Sequence, residues 1–369
     1  MSRLPGKRAR PVLRGLRRGD APELPDWKPF YYLLEDAVNV MLVNPRDARN
    51  RPGRKTDVSD AAWLADLGAH GLLRASLVPP PPIRRLRDLT RARTDLNRDR
   101  VRHIHRLERI LQDAGIKLSS VATDIMGQSS RAMLQALIDG QTDPAELADL
   151  AKRRLRSKIP ALTEALTGRF TPHHGYLIQM YLDLIDTHTA ALRVLDTKIV
   201  DALSPSLTAA RDLLCSIPGW STTVAEVFLA ETGGDMTAFP TAGHLASWAG
   251  VCPGANESAG RVKSTKTREG NRNLKGALGI AALSAARSRD TYFAAKYRRI
   301  CAHRGPMKAL VAVERAMVVA AHGMLTNGDF YRDPGADYFT ARRSGPIKAN
   351  AIRQLQALGY AVTLEPVTA

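Results

Sequence analysis

Apolar periodicity begins abruptly at Trp27 and changes its period several times before fading after Phe339. The run WKPFYYLLEDA fits a short helix, and NVMLVNP (39–45) fits a buried strand. DVSDAAWLADLGAHGLL repeats apolar residues at helical spacing, with Trp63, Leu64 and Leu67 on one side. RASLVPP (74–80) fits a second strand, closed by the proline run Pro79–Pro82. Helix, strand, helix, strand is the punctuation of an α/β unit, here only a fragment of a sheet.

From Ile83 to Leu111 the pattern predicts one long helix, with Leu86, Leu89, Leu96, Ile104, Leu107 and Leu111 at a loose 3–4 spacing. Its other faces carry arginines at 84, 85, 87, 91, 93, 98, 100, 102, 106 and 109. A second long helix, Leu177 to Leu203, steps through Leu177, Tyr181, Leu184, His188, Ala191 and Leu195 as a heptad. Shorter helical segments (116–170) lie between, which predicts an antiparallel coiled coil with a helical insert. The arginines are either its solvated face or a surface for nucleic acid or dimerisation. LLCSIPGWSTTVAEVFLAETG (213–233) then has the shape helix, Pro-Gly turn, helix, and resembles a helix-hairpin-helix. In that device backbone N–H groups at the turn hold a phosphate, with Gly219, Ser221 and Thr222 in the binding positions here. Such a turn is also common in any all-helical core. Helices are expected at about 271–287, 291–303 and 306–325, followed by a polar, loose tail.

The domain reading is therefore a basic leader (1–26), an α/β remnant (27–82), a coiled coil with insert (83–205), a mainly helical domain (206–340) and a tail (341–369). The leader carries seven Arg and Lys with no apolar periodicity and reads as disordered. Charge sharpens the functional picture: 54 Lys+Arg oppose 36 Asp+Glu, a formal net +18. Such an excess points to a polyanionic partner, because cationic side chains displace counterions condensed on phosphate backbones. The three cysteines, Cys215, Cys252 and Cys301, have no metal-ligand spacing and read as small hydrophobes in a reducing cytoplasm. No stretch approaches the ~20 apolar residues of a membrane span, and the leader lacks the apolar core of a secretory signal. His103, His105, His173, His174 and His188 lack metal-ligand spacing and read as structural or surface residues.

Two stretches carry candidate chemistry. Asp57 and Asp60, three apart behind an Arg-Lys-Thr, share a helix face and suit either a helix start or half of a metal site. The segment CPGANESAGRVKSTKTREGNRNLKGAL (252–278) holds six Arg and Lys against two acids, with Ser258 in its midst. A flexible cationic loop running into a helix N-terminus at Asn271 is suited to holding a phosphodiester, through Arg261, Lys263, Lys266, Arg268 and Arg272. Taken alone, Ser258 is an ordinary turn serine; beside those cations it is also a candidate nucleophile.

The ordered combination WKPFYYLLE, VNPRDARNRPGRKTDVSDAAWLADLGAHGLLRASLVPPPPIRRLRDLTR, IPG, ASWAGVCPGANESAGRVKSTKTREGNRNLK and MKALVAVERAMVVAAHGML resembles the insertion-sequence transposases of the IS-one-ten family. The resemblance runs from about Trp27 to about Tyr338. It implies a ribonuclease-H (RuvC-like) N-terminal domain, a coiled-coil linker and a C-terminal transposase domain with an essential serine. It implies that Asp57 and Asp60 are the last two members of a DEDD tetrad binding Mg²⁺, and that Ser258 forms a transient phosphoserine link to a DNA end. It also implies a structured guide RNA and an oligomer in which acidic and serine domains of different subunits meet.

The sequence departs from that pattern upstream of Trp27, where RGDAPELPD contains no Glu-x-Thr-Gly-like stretch and no strand bearing the first Asp. Asp20 and Glu23 do not stand at the family's spacing. The leader therefore reads as a wrong frame or wrongly chosen start, and the expected RuvC-like unit is incomplete. Two function classes follow: a DNA transposase impaired at its metal site, or a non-catalytic DNA- or RNA-binding remnant. A Holliday-junction or repair nuclease fits the serine loop poorly.

Overall fold

The computed structural model describes residues 28–43, 57–73, 75–254, 256–342 and 344–363, and it is almost wholly helical. The basic leader, Asp20 and Glu23 lie outside the described residues. The chain divides into two compact units, 1–78 and 79–369.

The first unit contains α1 (Lys28–Leu34) and α2 (Asp57–Ala69). The two strands expected at 39–45 and 74–80 reduce, among the described residues, to one antiparallel bridge, Val43 to Ala75. Ser76 N–H donates to Leu42 O at 2.7 Å beside it. On α2 Trp63 and Leu67 are half-buried, whereas Leu64 is exposed. Helix α2 begins at Asp57 itself, so Asp57 is a first-turn residue and not the cap before it. An acid at that position favours the positive end of the helix dipole.

The second unit opens with α3 (Pro81–Asp113), which Pro81 and Pro82 start by supplying preset φ angles where no N–H partner is needed. Four short helices follow: α4 (Leu118–Val121), α5 (Gln128–Ile138), α6 (Pro144–Asp149) and α7 (Ile159–Leu166). The chain then returns in α8 (Pro172–Ala202), opened by a capping box between Thr171 and His174. Helices α3 and α8 pack side by side. Leu86 meets Ile199 and Leu203 at one end, and Leu107 and Leu111 meet Ile178 and Leu182 at the other, so the pair is antiparallel. The insert closes a core around that second end, with Met133, Leu134, Leu137, Leu147 and Leu162 fully buried. Each such side chain contributes about 1.5–3 kcal/mol on leaving water.

The buried stripe of α8 is Ile178, Leu182, Ile185 and Ile199, one residue on from the expected Leu177, Tyr181, Leu184 series. Leu184 is exposed. Both stripes are apolar in sequence, and a one-residue shift rotates the helix by about 100°. Packing against α3 chooses between them.

The remainder is α9 (Pro205–Leu214), α10 (Thr222–Thr232), α11 (Ala242–Trp248), a hairpin of β1 (Asn256–Ser258) and β2 (Arg261–Ser264), then α12 (Arg272–Ala286), α13 (Tyr292–Arg304) and α14 (Pro306–Asn327). Helix α10 is buried on nearly every side, packed against α3, α9 and α12. Helix α14 packs against α11, α12 and α13 through Ala309, Val313, Met317, Val318 and Ala321. Among the described residues it is the one helix long and apolar enough to cross a membrane, contrary to the expectation of none. It buries one stripe against those helices and leaves Met307 and Val319 exposed. The tail, expected to be loose, carries α15 (Tyr338–Arg342) and α16 (Ser344–Ala357), with no described residue there buried.

Candidate functional site

The basic segment is not the flexible loop expected. Its centre is an antiparallel hairpin, with Ser258 paired to Arg261 across a two-residue turn. Both turn residues have positive φ, 51° at Ala259 and 72° at Gly260. That is the type I′ geometry whose twist matches a tight hairpin. An alanine there costs about 1–2 kcal/mol relative to glycine's freedom.

The register has a chemical consequence. Directly opposed residues share a face of the ribbon, and alternate residues return to it. Ser258 and Arg261, directly opposed, therefore share one face of an exposed tip, while the register shifts at Lys263, which opposes no residue of β1. A phosphodiester drawn to Arg261 would stand beside the serine hydroxyl.

The base of the hairpin is clamped. Pro253 bridges Thr267, Gly254 N–H donates to Lys266 O at 3.0 Å, and Asn271 N–H donates to Trp248 O at 3.3 Å. Gly250 and Gly270 lie backbone against backbone, and a Cβ at Gly270 would stand 2.3 Å from Gly250 N. Lys266, Arg268 and Arg272 are exposed around this base. Asn271 caps α12 as expected, its side chain accepting from Leu274 N–H at 3.0 Å.

Between α9 and α10 the helix-turn-helix shape is present, and Ser221 caps α10 by accepting from Val224 N–H. Thr222 is the first helical residue, and both are exposed. Gly219 is occupied differently from the phosphate-binding expectation. Its φ is 88°, and a Cβ on it would fall 2.5 Å from Ala281 O and 2.7 Å from Ala285 N. The turn is pressed onto α12, so this glycine serves close packing first.

Sequence reasoning missed two acids of α10. Glu231 is fully buried and receives a bidentate pair from Arg91, Nε to Oε1 at 2.7 Å and Nη2 to Oε2 at 2.8 Å. Arg87 adds an ion pair at 3.3 Å and donates to the backbone O of Glu231 at 2.6 Å. Asn271 Nδ2 donates to Glu231 Oε2 at 2.7 Å, so one carboxylate ties α3 to the cap of α12. Glu226 accepts from Arg93 Nη1 at 2.6 Å, and Arg93 also reaches Asp196 on α8 at 3.1 Å. Three of the arginines expected on an outer face thus turn inward. The available signal was two glutamates inside an otherwise apolar helical run, since buried acids require partners.

Asp57 and Asp60 stand one turn apart on α2, so the two positions share a helix face. Carboxylates are the hard oxygen donors that Mg²⁺ takes, often one or two with the rest from water and substrate phosphate. Among the described residues no group of three His, Cys, Asp or Glu gathers as a metal site. The donor chemistry fits the ion; the donor number is minimal.

His105 and His173 are exposed, and the other three histidines singled out hold structural positions. His103 packs against Tyr181 at 5.8 Å and His188 at 5.2 Å in the helix pair. His174 completes the α8 capping box with Thr171. The cysteines are free and half-buried, and burial pushes the Cys215 thiol above its ordinary value.

Two family models match. Residues 22–116 match the DEDD transposase model of IS110 elements, and residues 211–298 match the transposase model of the IS116/IS110/IS902 family. These define a DEDD-type transposase of insertion sequences. An uncharacterised 42 kDa protein of insertion element IS900 from Mycobacterium paratuberculosis is 31% identical, covering 75% of this chain and 73% of the relative. An uncharacterised 43.6 kDa protein of insertion element IS110 from Streptomyces coelicolor is 28% identical, covering 76% of this chain and 73% of the relative. The chain belongs to the IS116/IS110/IS902 family of transposases.

Proposed function

We propose that the chain acts on the DNA of an insertion sequence as a cytoplasmic recombinase whose nucleophile is Ser258. The observation that carries this reading is the register of the hairpin, in which Ser258 stands opposite Arg261 at an exposed tip. The serine Oγ attacks phosphorus, the Oγ–P bond forms, and the bond from phosphorus to the departing deoxyribose oxygen breaks. The hydroxyl proton passes to that oxygen. Arg261 and Lys263 stabilise the charge gathering on the phosphoryl oxygens. The phosphodiester energy is conserved in the serine link, so rejoining needs no ATP. Lys266, Arg268, Arg272 and the helix N-termini at Asn271 and Ser221–Thr222 hold the flanking backbone. Asp57 and Asp60 would hold Mg²⁺, which neutralises charge on a scissile phosphate when bound. A structured guide RNA and a homo-oligomer joining acidic and serine units of different subunits complete the reading.

The test is a covalent adduct. Purified protein is incubated with labelled element-end DNA and Mg²⁺, then resolved under denaturing conditions. A slow-migrating protein–DNA species that disappears in Ser258→Ala is expected. Salt-sensitive binding with no adduct from the wild-type chain would replace this reading with the second, a non-catalytic DNA/RNA-binding transposase remnant.

A further inference from the structure

We propose that the cleft between α13, α14 and the base of the basic hairpin receives unpaired bases of a DNA strand. The cleft has a volume of about 1020 Å³, at the upper end for a small-ligand site. One wall is aromatic: the half-buried Tyr292, Tyr331 and Tyr338, backed by the fully buried Phe293. These rings are held in place by one another. Phe293 and Tyr331 stack at 5.4 Å with planes 18° apart, and Tyr292 meets Tyr338 edge-on at 5.1 Å. The opposite wall is the outer face of α14, with Ala312, Ala316 and Val319.

Four cations, Lys266, Lys296, Lys308 and Arg315, line the same cleft, and among the described residues no carboxylate does. An apolar, aromatic interior with a cationic border complements a strand whose bases are free and whose backbone is anionic. A duplex offers phosphate to such a border but keeps its base faces stacked within. Burying a pre-arranged aromatic surface also costs little ordering on binding. Lys266 and Thr267 line the cleft and belong to the segment that closes the hairpin, so a strand leaving the cleft runs along that segment. The assignment to DNA rests on the reading of Ser258 as a nucleophile toward DNA.

The test uses the full chain and fluorescein-labelled oligothymidylate of 15 nucleotides, with a 15-base-pair duplex and oligouridylate of the same length as comparisons. Binding is followed by anisotropy at fixed salt. Ala316→Trp fills the cleft without altering charge, and Lys308→Gln at an exposed position removes one border cation. Each stacked base is worth about 1–3 kcal/mol, so Ala316→Trp should weaken oligothymidylate binding by at least about fivefold with the duplex affinity unchanged. Lys308→Gln should weaken oligothymidylate binding as well, which keeps the test intact if the tryptophan variant fails to fold. Unchanged oligothymidylate affinity in a folded Ala316→Trp chain overturns the proposal. So does tighter binding of oligouridylate than oligothymidylate, or a change of mass in light scattering that makes the cleft a contact between copies. A wild-type chain that binds none of the three nucleic acids defeats the DNA reading itself, a result separate from failure of the cleft alone.

Discussion

Glu314 sits in the middle of α14 with its side chain buried and Oε2 without a hydrogen-bond partner. Burial pushes its carboxyl above the ordinary value, opposed by the nearby Lys275 cation. A carboxyl that is harder to ionise in the folded state than in the unfolded one costs stability as pH rises past the unfolded value of 4.5. Glu314→Gln should therefore raise the melting temperature at pH 7.5, and the gain should vanish below about pH 4. Thermal scans across that range decide it. His103 behaves in the complementary way. Burial, with His188, Arg106 and Arg102 adding their charge, holds its imidazole below the ordinary 6.5. The unfolded chain then binds the proton more readily, so stability falls as pH drops below about 6.5. Replacing His103 by Gln should flatten the melting temperature between pH 7.5 and 5.5, measured by the same scans.

Among the elements, α10 decides how the rest is joined. It carries Glu226 and Glu231 in a helix otherwise buried by apolar contacts, and each acid pairs with arginines of α3. Removing one partner of a buried ion pair costs about 3–5 kcal/mol, because the remaining charge stays desolvated. Arg91 is partly exposed, which puts Glu231→Gln near the lower end, about 3 kcal/mol. A fall in the urea midpoint at constant m-value would confirm it. The arginine run of α3 therefore has two roles. Arg87, Arg91 and Arg93 are structural counter-ions, and Arg98 and Arg102 pair with Asp95 and Asp99 on the same helix, which leaves exposed neighbours such as Arg106 and Arg109 for solvent or phosphate. Along the helix pair the polar seam of Arg93 with Asp196 and Arg100 with Thr189 also fixes register, since a one-turn slip would strand each of them.

For the whole molecule, charge sets the association behaviour. A net +18 with a basic hairpin exposed at one tip predicts DNA affinity that falls steeply and linearly in log–log with salt. Neutralising Arg261 and Lys263 together should lower that slope by about 2, each removed phosphate contact contributing about 0.9. An unchanged slope in anisotropy titrations would take the hairpin tip out of the DNA contact.

Much of this organisation was legible along the chain. The two long helices, the starts of α12, α13 and α14, the Asn271 cap and the family motifs all follow from local periodicity, caps and covalent order, which need no partner to be read. Other features depend on groups brought from far away. Two adjacent apolar stripes on α8 were equally good in sequence, and only the surface of α3 selected Ile178, Leu182 and Ile185. The hairpin at Ser258 hid behind an Ala-Gly turn that lacks the usual Asn or Asp signal. Arginines of α3 looked solvent-facing because their acids lie 133 to 144 residues later. The aromatic cleft draws on Tyr292, Val319 and Tyr338, which no single helical face displays. Sequence alone determined the long helices and where the basic segment around Ser258 would fall, though not the helices α15 and α16 of the tail. Tertiary structure decided which faces were buried and which charges were paired, because desolvation depends on the neighbour supplied and not on the residue itself.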